Sequence, residues 1–546
     1  MKRIALVNLA LLIIFSAKSQ NPTKLINGLF TEWTNKNTPG GVVMVARKNT
    51  TVYSKAFGLA NISYQIPNTQ ATVFNIGSVA KQFTAMGIVL LQLEGKLSVD
   101  DAIHTYLPEL HNFTQPITIR QLLHHTSGIR SVPELLGLAG WRDGDAFSNE
   151  DVYRYLQKQH DLNFEPNSEY MYTNSGYILL AKIIENVSKK EFKSFMEERI
   201  FQPFHMNATF IEEDYSKITS QIASSYTQTA ASVFQTVENT DLTYGASNVY
   251  STCGDLLKWS KNYHEAPNDW QKAFKLLETL TNLNSGKKNN YGFGIFVDDY
   301  WGNRRIQHTG GIAGFQSVMY CYPDDDVQIV ILSNYSSIQL SKIADFISQL
   351  FLQQKTASAT IEEVVNPLKL SSDSMRKFEG MYWNDKTNLI RKVYVENDTL
   401  WYMRNNNRKS PLYPISDIAF QMGGINEKLY VHFEVKSATM LLISAENSVD
   451  TFEKYEDKPL SQEELLSYTG CFYSDELETS YTISLKHGAL YGYHSRFGEF
   501  EIQVLKKDVL SWSGTAVSKY KRNESGTITG ISVTLSRIRN VWFDKK

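Results

Sequence analysis

A serine and a lysine three residues apart, Ser78 and Lys81, have the types and the spacing of a nucleophile and the group that activates it. A serine hydroxyl is a poor nucleophile until a neighbouring base takes its proton. A lysine drawn out of water loses part of its preference for the charged form, so it can take that proton or hold a second base in its anionic form. Side chains three residues apart share one face of a helix and can meet there.

The Ser-x-x-Lys spacing alone is weak evidence, because it occurs at Ser78/Lys81, Ser285/Lys288, Ser374/Lys377 and Ser518/Lys521. The last three pairs lie in polar stretches that predict loops or a strand and its turn. The first pair instead opens an apolar run with helical spacing that stops at Gly95. This run predicts a mostly buried helix with Ser78 at its N-terminus, where N–H groups can stabilise negative charge. A capping serine beside a surface lysine is the plainer interpretation of any single pair.

Two other short motifs place polar residues at the edges of predicted elements. Tyr172 and Asn174 directly precede an apolar helical run. A predicted strand ends in His308, Thr309, Gly310 and Gly311. Each motif alone has a structural interpretation, as a packed tyrosine or as a turn with a locally hydrogen-bonded histidine. Their occurrence in this order, after the serine–lysine pair, favours a catalytic interpretation.

The three motifs together resemble those of the serine β-lactamase and penicillin-binding-protein-like hydrolase family, in its esterase and D-aminopeptidase-like branch. Further segments match other signatures of this family, namely LLHHTSGI (122–129), STCGDLLKW (251–259) and YGFGIFV (291–297). The resemblance covers about residues 25–350. It implies an α+β fold, with an antiparallel sheet flanked by helices, and a reaction that uses no cofactor and no metal ion.

The resemblance also implies acyl transfer. Ser78 would attack an ester or amide carbonyl and form an acyl-enzyme, which water then hydrolyses. Lys81 would help to take the serine proton, and Tyr172 would act as general base and then as acid for the leaving group. An unperturbed phenol titrates near pH 10, so a nearby cation is what makes it useful near neutrality. Asn174 would orient Lys81 or a substrate amide.

The strand motif would supply the other half of the site. The resemblance implies an oxyanion hole formed by the backbone N–H groups of Ser78 and Gly311, with His308, Thr309 and Gly310 beside the substrate. His308 stands where typical β-lactamases and carboxypeptidases have a lysine that holds a substrate carboxylate. A histidine is largely neutral at pH 7, which makes such activity less expected here.

Other polar residues of the matching region receive structural interpretations. His125 and Ser127 match family positions and are predicted to be mainly structural, and His124 receives no role. Two segments are expected to line the cleft, 130–165 with Trp141 and Arg142 and the aromatic segment 226–250.

Composition bounds the class of protein. The chain has 546 residues, a formal net charge of −2 and 42% hydrophobic residues, which describes an ordinary globular protein and gives no reason to expect nucleic acid or an anionic membrane as partner. The expected partner is a small-molecule or peptide substrate. Three widely spaced cysteines form no metal motif, and one disulfide is possible.

The two ends of the chain predict further segments. A basic start, an apolar run and small residues predict a signal peptide over 1–19 and a secreted or periplasmic protein without stable membrane insertion. The hydrolase domain is predicted over 20–355 and a polar linker over 356–367. Short alternating segments then repeat with an offset of about 90 residues, which predicts two small lipocalin-like β-barrels over 368–458 and 459–546. One larger barrel is the alternative. The added barrels resemble those of family members in which a hydrolase domain is followed by barrel domains. This resemblance implies that the barrels cap or shape the cleft.

The sequence thus predicts an exported serine hydrolase that cleaves an ester or amide, possibly in a D-amino-acid peptide. One alternative is a β-lactamase or D-alanyl-D-alanine carboxypeptidase. Another is a non-catalytic ligand-binding protein, against which the joint presence of Ser78, Lys81, Tyr172 and Asn174 argues. The pattern leaves the substrate and the oligomeric state open.

Overall fold

A computed structural model describes most of the chain. The described residues are 21–34, 37–110, 113, 115–212, 219–231, 233–355, 368–404, 408–425, 429–444, 449–456 and 458–546. The predicted signal peptide and the predicted linker lie outside these residues. Contacts group the described chain into two units, one of residues 21–133 and 143–355 and the other of residues 134–142 and 368–546.

Thirteen helices and thirty-one strands make up the regular structure of the described residues. The helices are α1 (Pro22–Leu29), α2 (Lys81–Leu93), α3 (Ile119–Leu123), α4 (Val132–Leu138), α5 (Asn149–Gln157), α6 (Asn174–Ser188), α7 (Phe192–Met196), α8 (Cys253–Ser260), α9 (Asn262–Glu265), α10 (Asn268–Leu277), α11 (Leu340–Phe351), α12 (Ser372–Arg376) and α13 (Gln462–Ser467). No helix of the described chain is long and apolar enough to cross a membrane.

The strands divide between the two units. Those of the first unit are β1 (Gly41–Arg47), β2 (Thr50–Phe57), β3 (Leu59–Asn61), β4 (Ile66–Pro67), β5 (Phe74–Asn75), β6 (Phe210–Ile211), β7 (Tyr226–Ala230), β8 (Val233–Thr236), β9 (Val249–Ser251), β10 (Thr281–Asn282), β11 (Lys288–Asn289), β12 (Phe296–Tyr300), β13 (Asn303–Ile312), β14 (Phe315–Tyr322) and β15 (Val327–Ser333).

Strands of the second unit all belong to its barrels. They are β16 (Gly380–Asn384), β17 (Leu389–Glu396), β18 (Thr399–Arg404), β19 (Lys409–Pro414), β20 (Ala419–Met422), β21 (Leu429–Glu434), β22 (Thr439–Ser444), β23 (Val449–Tyr455), β24 (Gly470–Ser474), β25 (Thr479–Lys486), β26 (Ala489–His494), β27 (Gly498–Lys506), β28 (Val509–Trp512), β29 (Ala516–Arg522), β30 (Ile528–Leu535) and β31 (Ile538–Lys545).

A six-stranded antiparallel sheet with the order β12-β13-β14-β15-β1-β2 forms the centre of the first unit. β1 and β2 form a hairpin within it, and β13, β14 and β15 follow one another in the chain and pair in that order. Strands β1 and β15 are nearly continuous apolar runs because both faces of the sheet are covered. α1 and α11 share a hydrophobic core with one face, and α8 packs against β1 and β15.

The helix that follows the nucleophile candidate begins later than the sequence predicts. Ser78 lies in a 3₁₀ turn, Gly77–Ala80, and α2 begins at Lys81. Gly77 has φ +50°, and a Cβ on it would lie 2.8 Å from the backbone nitrogen of Gly311. The chain therefore makes a tight turn against β13 before the helix starts, which a residue with a side chain would not allow. α2 is buried on nearly all sides.

Two closed barrels of eight strands each, β16–β23 and β24–β31, confirm the prediction from the repeat. The alternative of one larger barrel is wrong. Each barrel follows a short helix, α12 or α13, and each begins at a glycine with positive φ, Gly380 at +151° and Gly470 at +142°. The cysteines form no disulfide: Cys253, Cys321 and Cys471 are free thiols.

Residues 134–142 have their contacts with the second barrel, although they lie within the predicted hydrolase range. Glu134 Oε1 accepts a hydrogen bond from Arg537 Nε at 2.6 Å. The Tyr481 hydroxyl donates to the carbonyl of Leu138 at 2.9 Å. The ring of His494 lies so close to Gly140 that a Cβ there would be 2.3 Å from it. This end of the second barrel thus holds a polypeptide segment.

The first barrel differs at the equivalent positions. With the offset of 90 residues, Tyr481 and His494 correspond to Arg391 (481 − 90) and Arg404 (494 − 90). Arg391 Nε donates to the Tyr402 hydroxyl at 2.6 Å, and the Arg404 guanidinium lies 5.4 Å from the centre of the Tyr402 ring. The two copies have kept their strands and changed the side chains at one end.

Gly310 is the position at which β13 comes closest to the turn that carries Ser78. A Cβ on Gly310 would lie 2.0 Å from the carbonyl oxygen of Ile76 and 2.3 Å from Ser317 Oγ. We expect Gly310→Ala to lower the free energy of unfolding by about 1–3 kcal/mol, because the strand must move off the turn. Gly311→Ala is the matched control, since its Cβ would meet only the side chain of Gln316, at 3.2 Å or more. Equal unfolding midpoints for the two variants would contradict this account.

Candidate active site

The side chains of Ser78 and Lys81 meet in the first unit. Lys81 Nζ lies 3.1 Å from Ser78 Oγ, 2.9 Å from Asn174 Oδ1 and 2.8 Å from the carbonyl oxygen of Ala246. Lys81 is fully buried. The oxygens of Asn174 and Ala246 can only accept hydrogen bonds, so Lys81 must donate one N–H group to each of them. Its remaining tetrahedral position, a proton or a lone pair, is thereby directed at the serine.

Tyr172 lies beside this lysine. Lys81 Nζ is 4.9 Å from the centre of the Tyr172 ring, within the range of a cation–π interaction. The ring also packs against His125, with 4.2 Å between ring centres. The backbone N–H of Thr173 donates to His125 Nδ1 at 3.2 Å. The prediction that His125 is mainly structural agrees with these contacts.

Asn174 reaches Lys81 because it is the first residue of α6. The Thr173 side chain caps this helix by accepting from the N–H of Ser175, and Ser175 Oγ donates to the carbonyl of Arg130 at 2.7 Å. Asn174 Oδ1 accepts from the lysine, so its Nδ2 faces away. Within the described chain this Nδ2 has no hydrogen-bond acceptor, which leaves it available to a substrate carbonyl.

The motif residues of β13 form an open strand edge. β12 pairs with β13 only as far as Gln307, so within the described strands the stretch 308–312 has no partner on that side. Gly310 packs directly on Ile76, and the backbone of Gly311 adjoins Gly77. The N–H groups of Ser78 and Gly311 therefore belong to backbone segments in contact, as an oxyanion hole requires. Thr309 and Gly311 are exposed along this edge.

His308 is buried beneath the edge rather than presented to solvent. It is 2% exposed. Its Nδ1–H donates to the carbonyl of Thr309 at 2.6 Å, so Nε2 must accept, and the Tyr291 hydroxyl donates to it at 3.0 Å. Burial, with the charge of Lys81, lowers the pKa of His308 to about 3. The side chain is therefore neutral, and both ring nitrogens already have partners, which agrees with the prediction that it holds a carboxylate poorly.

His124, to which the sequence assigned no role, supports the same tyrosine. Its Nδ1–H donates to the carbonyl of Tyr291 at 2.7 Å. Burial lowers the pKa of His124 to about 4. Two neutral histidines thus hold Tyr291 by its backbone and by its hydroxyl.

Two contributors to the site, the Ala246 carbonyl and Tyr291, are not predicted by the motifs. Ala246 lies in the segment 226–250 that was expected near the cleft, but a backbone acceptor has no residue-type signature. Tyr291 stands in a matching family segment, and its aromatic type was the available signal. A cavity of about 390 Å³ adjoins the same strand edge. It is lined by Thr309, Gly310, Gly311, residues 316–318 and residues 338–342, and not by Ser78 or Lys81.

Comparisons with known proteins identify a family and several similar proteins. A model of the family described as Beta-lactamase matches residues 26–347. Penicillin-binding protein 4* of Bacillus subtilis (strain 168) is 29% identical over 334 residues, which are 58% of this chain and 72% of that protein. The D-aminopeptidase of Brucella anthropi is 23% identical over 515 residues, 91% of this chain and 93% of that protein, so this alignment extends into the repeats.

Two solved structures illustrate the similarity of fold. The octameric penicillin-binding protein homologue from Pyrococcus abyssi matches with a TM-score of 0.54 at 22% identity, over 79% of this chain and 99% of that one. EstCE1, described as a hydrolase with promiscuous acyltransferase activity, matches with a TM-score of 0.51 at 19% identity, over 62% of this chain and 100% of that one. The predicted α+β fold with two C-terminal barrels is confirmed.

The two buried histidines predict how stability depends on pH. The pKa of His308 is lowered to about 3 and that of His124 to about 4, from a value of 6.5 in the unfolded chain. Between these values the unfolded chain binds more protons, so stability is complete above pH 6.5 and is lost as the pH falls. We expect each histidine to remove about 2 kcal/mol between pH 7.5 and pH 5.

Urea unfolding of the wild type and of His308→Gln at these two pH values tests this dependence. The variant should lose less stability on acidification than the wild type does. An identical loss in both proteins would contradict the assignment of a neutral, buried His308.

Proposed function

Since the chain belongs to the beta-lactamase family, a family of serine hydrolases, we propose that it hydrolyses an ester or amide through an acyl-enzyme on Ser78. The observation that carries this proposal is the buried Lys81 amine, whose two carbonyl acceptors direct its third position at Ser78 Oγ 3.1 Å away. A capping serine beside a surface lysine would have neither the burial nor these partners. The proposal requires no cofactor.

Acylation begins with loss of the Ser78 proton. Tyr172, as the phenolate beside the Lys81 ammonium, is the proposed base, and the lysine stabilises that phenolate and relays the proton. Ser78 Oγ then bonds to the substrate carbonyl carbon. The carbonyl oxygen takes the negative charge between the N–H groups of Ser78 and Gly311. Tyr172 returns the proton to the leaving group as the tetrahedral intermediate collapses.

Deacylation repeats these steps with water as the nucleophile. Tyr172 takes a proton from the water, the oxyanion forms in the same hole, and the proton returns to Ser78 Oγ as the acid leaves. Asn174 Nδ2 is the proposed donor to a substrate carbonyl, and the open edge of β13 is the proposed partner for an extended substrate backbone. Thr309 and Gly310 line that edge, and His308 supports it from below.

The proposed substrate class is an amide or ester of a D-amino acid without a carboxylate close to the scissile bond. The alignment with a D-aminopeptidase over 91% of this chain supports a D-amino acid as part of the substrate. The neutral His308, hydrogen-bonded on both ring nitrogens, supports a substrate without a carboxylate close to the scissile bond. A free carboxylate on the leaving group would meet no charge from this position.

A D-alanyl-D-alanine carboxypeptidase or β-lactamase is the second candidate. Its support is the similarity to penicillin-binding protein 4*, at 29% identity.

For location, the N-terminal pattern over 1–19 supports export to the periplasm or medium.

Replacement of Ser78 tests the nucleophile. We expect Ser78→Ala to reduce hydrolysis of a p-nitrophenyl ester by at least about 10³-fold, since the acyl-enzyme can no longer form. Ser285→Ala is the matched control, because Ser285 has the same spacing to a lysine but lies exposed in a loop. Equal activity in Ser78→Ala and the wild type would remove Ser78 from the mechanism.

Two dipeptides that differ in one group test the substrate class. We expect kcat/KM for D-alanyl-glycinamide to exceed that for D-alanyl-glycine by at least about tenfold, because only the second places a carboxylate near His308. L-alanyl-glycinamide is the stereochemical control, and chromatography of the released product is the measurement. Preference for the free carboxylate would favour the carboxypeptidase candidate instead.

A further inference from the structure

A buried pair of amides joins the turn of Ser78 to the loop of Ala246. Asn75 is 1% exposed and Asn248 is fully buried. Asn75 Nδ2 donates to Asn248 Oδ1 at 2.8 Å across 173 residues of chain. Asn75 Oδ1 accepts from the N–H of Gly77 at 3.0 Å, one residue before the proposed nucleophile.

The direction of each hydrogen bond follows from the backbone groups around the pair. The Gly77 N–H can only donate, so it must face Asn75 Oδ1, and Asn75 Nδ2 must face Asn248. Asn248 Oδ1 also accepts from Asn239 Nδ2 at 2.8 Å, and Asn248 Nδ2 is left for two carbonyls, those of Asp241 at 2.5 Å and Thr243 at 2.8 Å. The donors and acceptors of both amides are therefore matched in one arrangement only.

Asn248 closes the loop 241–248 on itself. Its side chain bonds back to carbonyls five and seven residues earlier in the chain, and its backbone has φ +59°, which asparagine tolerates better than most residues. α2 holds the same loop from the other side. Thr84 Oγ1 donates to the carbonyl of Gly245 at 2.7 Å, next to the carbonyl that Lys81 uses.

We propose that Asn75 and Asn248 are positioning residues for acylation, acting through the carbonyl of Ala246. This inference rests on the proposed function of Ser78. Ala246 O and Asn174 Oδ1 together fix the direction of the amine of Lys81, and only the first of these depends on the loop. If the amide pair is lost, the loop and its carbonyl shift, and the third position of Lys81 no longer points at the serine.

Substrate binding depends on other elements. The proposed substrate contacts are the open edge of β13, which pairs with β14, and the Nδ2 of Asn174, whereas the amide pair lies between the turn of Ser78 and the loop 241–248. Loss of the pair should therefore slow the acylation step and leave the binding of substrate nearly unchanged. A displacement of about 1 Å in a reacting group can lower the rate about 10²-fold.

Pre-steady-state release of p-nitrophenol from p-nitrophenyl acetate by the full chain separates the acylation rate constant from the substrate dissociation constant. Asn75→Ala, Asn248→Gly and the double variant are compared with the wild type. Glycine is used at 248 because it keeps the positive φ and removes only the amide. We expect the acylation rate constant to fall at least about tenfold in each single variant, with the substrate dissociation constant within about twofold. The double variant should be no slower than the slower single one, since both break one connection.

Asn303→Gly is the matched control. Asn303 is also fully buried, and its Nδ2 closes a turn by bonding to the carbonyls of Tyr300 and Trp301. It should lose comparable stability in thermal unfolding and keep its acylation rate constant. Thr84→Val is a milder variant for the case in which the others do not fold, with a severalfold loss expected.

The mass of the peptide that contains Ser78 distinguishes the possible failures. If the wild type is acetylated on Ser78 and the folded variants keep its rate constant, the positioning role is overturned and the proposed function stands. The positioning role is also overturned if Asn303→Gly lowers the acylation rate constant as much as Asn75→Ala and Asn248→Gly do. It is overturned too if these variants change only the substrate dissociation constant. If the wild type is acetylated elsewhere or not at all, the proposed function fails and the inference fails with it.

Discussion

The structure of the site depends on one constraint, the removal of the Lys81 amine from water. A buried amine must be given acceptors for its protons, or its burial costs several kcal/mol. The chain supplies Asn174 Oδ1 and the carbonyl of Ala246, and no more than one position is then left for the serine. The polar geometry of the site is thus a consequence of satisfying one buried group, and the apolar helix α2 is what keeps that group buried.

A second constraint is the burial of two histidines around Tyr291, near the ring of Tyr172. His308 and Tyr291 satisfy each other, and His124 binds the backbone of Tyr291. Burial keeps both histidines neutral, so Lys81 has no second cation beside it from these residues. Of Lys81, His124 and His308, only the lysine can therefore supply a positive charge to the proposed site near neutral pH.

The sequence predicted the parts of the molecule that side-chain type encodes. Residue types and their spacing carry the motifs around Ser78, Tyr172 and His308 and the repeat that predicts the two barrels. The start of α2 was misplaced, because the turn before it follows from the contact of Gly77 with a strand more than 200 residues later. The Ala246 carbonyl was missed because a backbone group contributes no letter to a motif. The link between Asn75 and Asn248 spans 173 residues, and no local pattern reports it.

The pairing of β1 with β15 determines when this site can exist. β1 pairs with β2 as soon as that hairpin is made, but Gly41 also lies opposite Ser333, so β1 finds its second neighbour only after nearly the whole first unit has been synthesised. The strand that carries Gly310 and Gly311 is also made late, long after the turn of Ser78. Chain segments emerge in order from the N-terminus, and contacts between distant segments form slowly. A growing chain therefore carries Ser78, the proposed nucleophile, for more than 200 residues of synthesis before the strand that would complete the proposed oxyanion hole has been made.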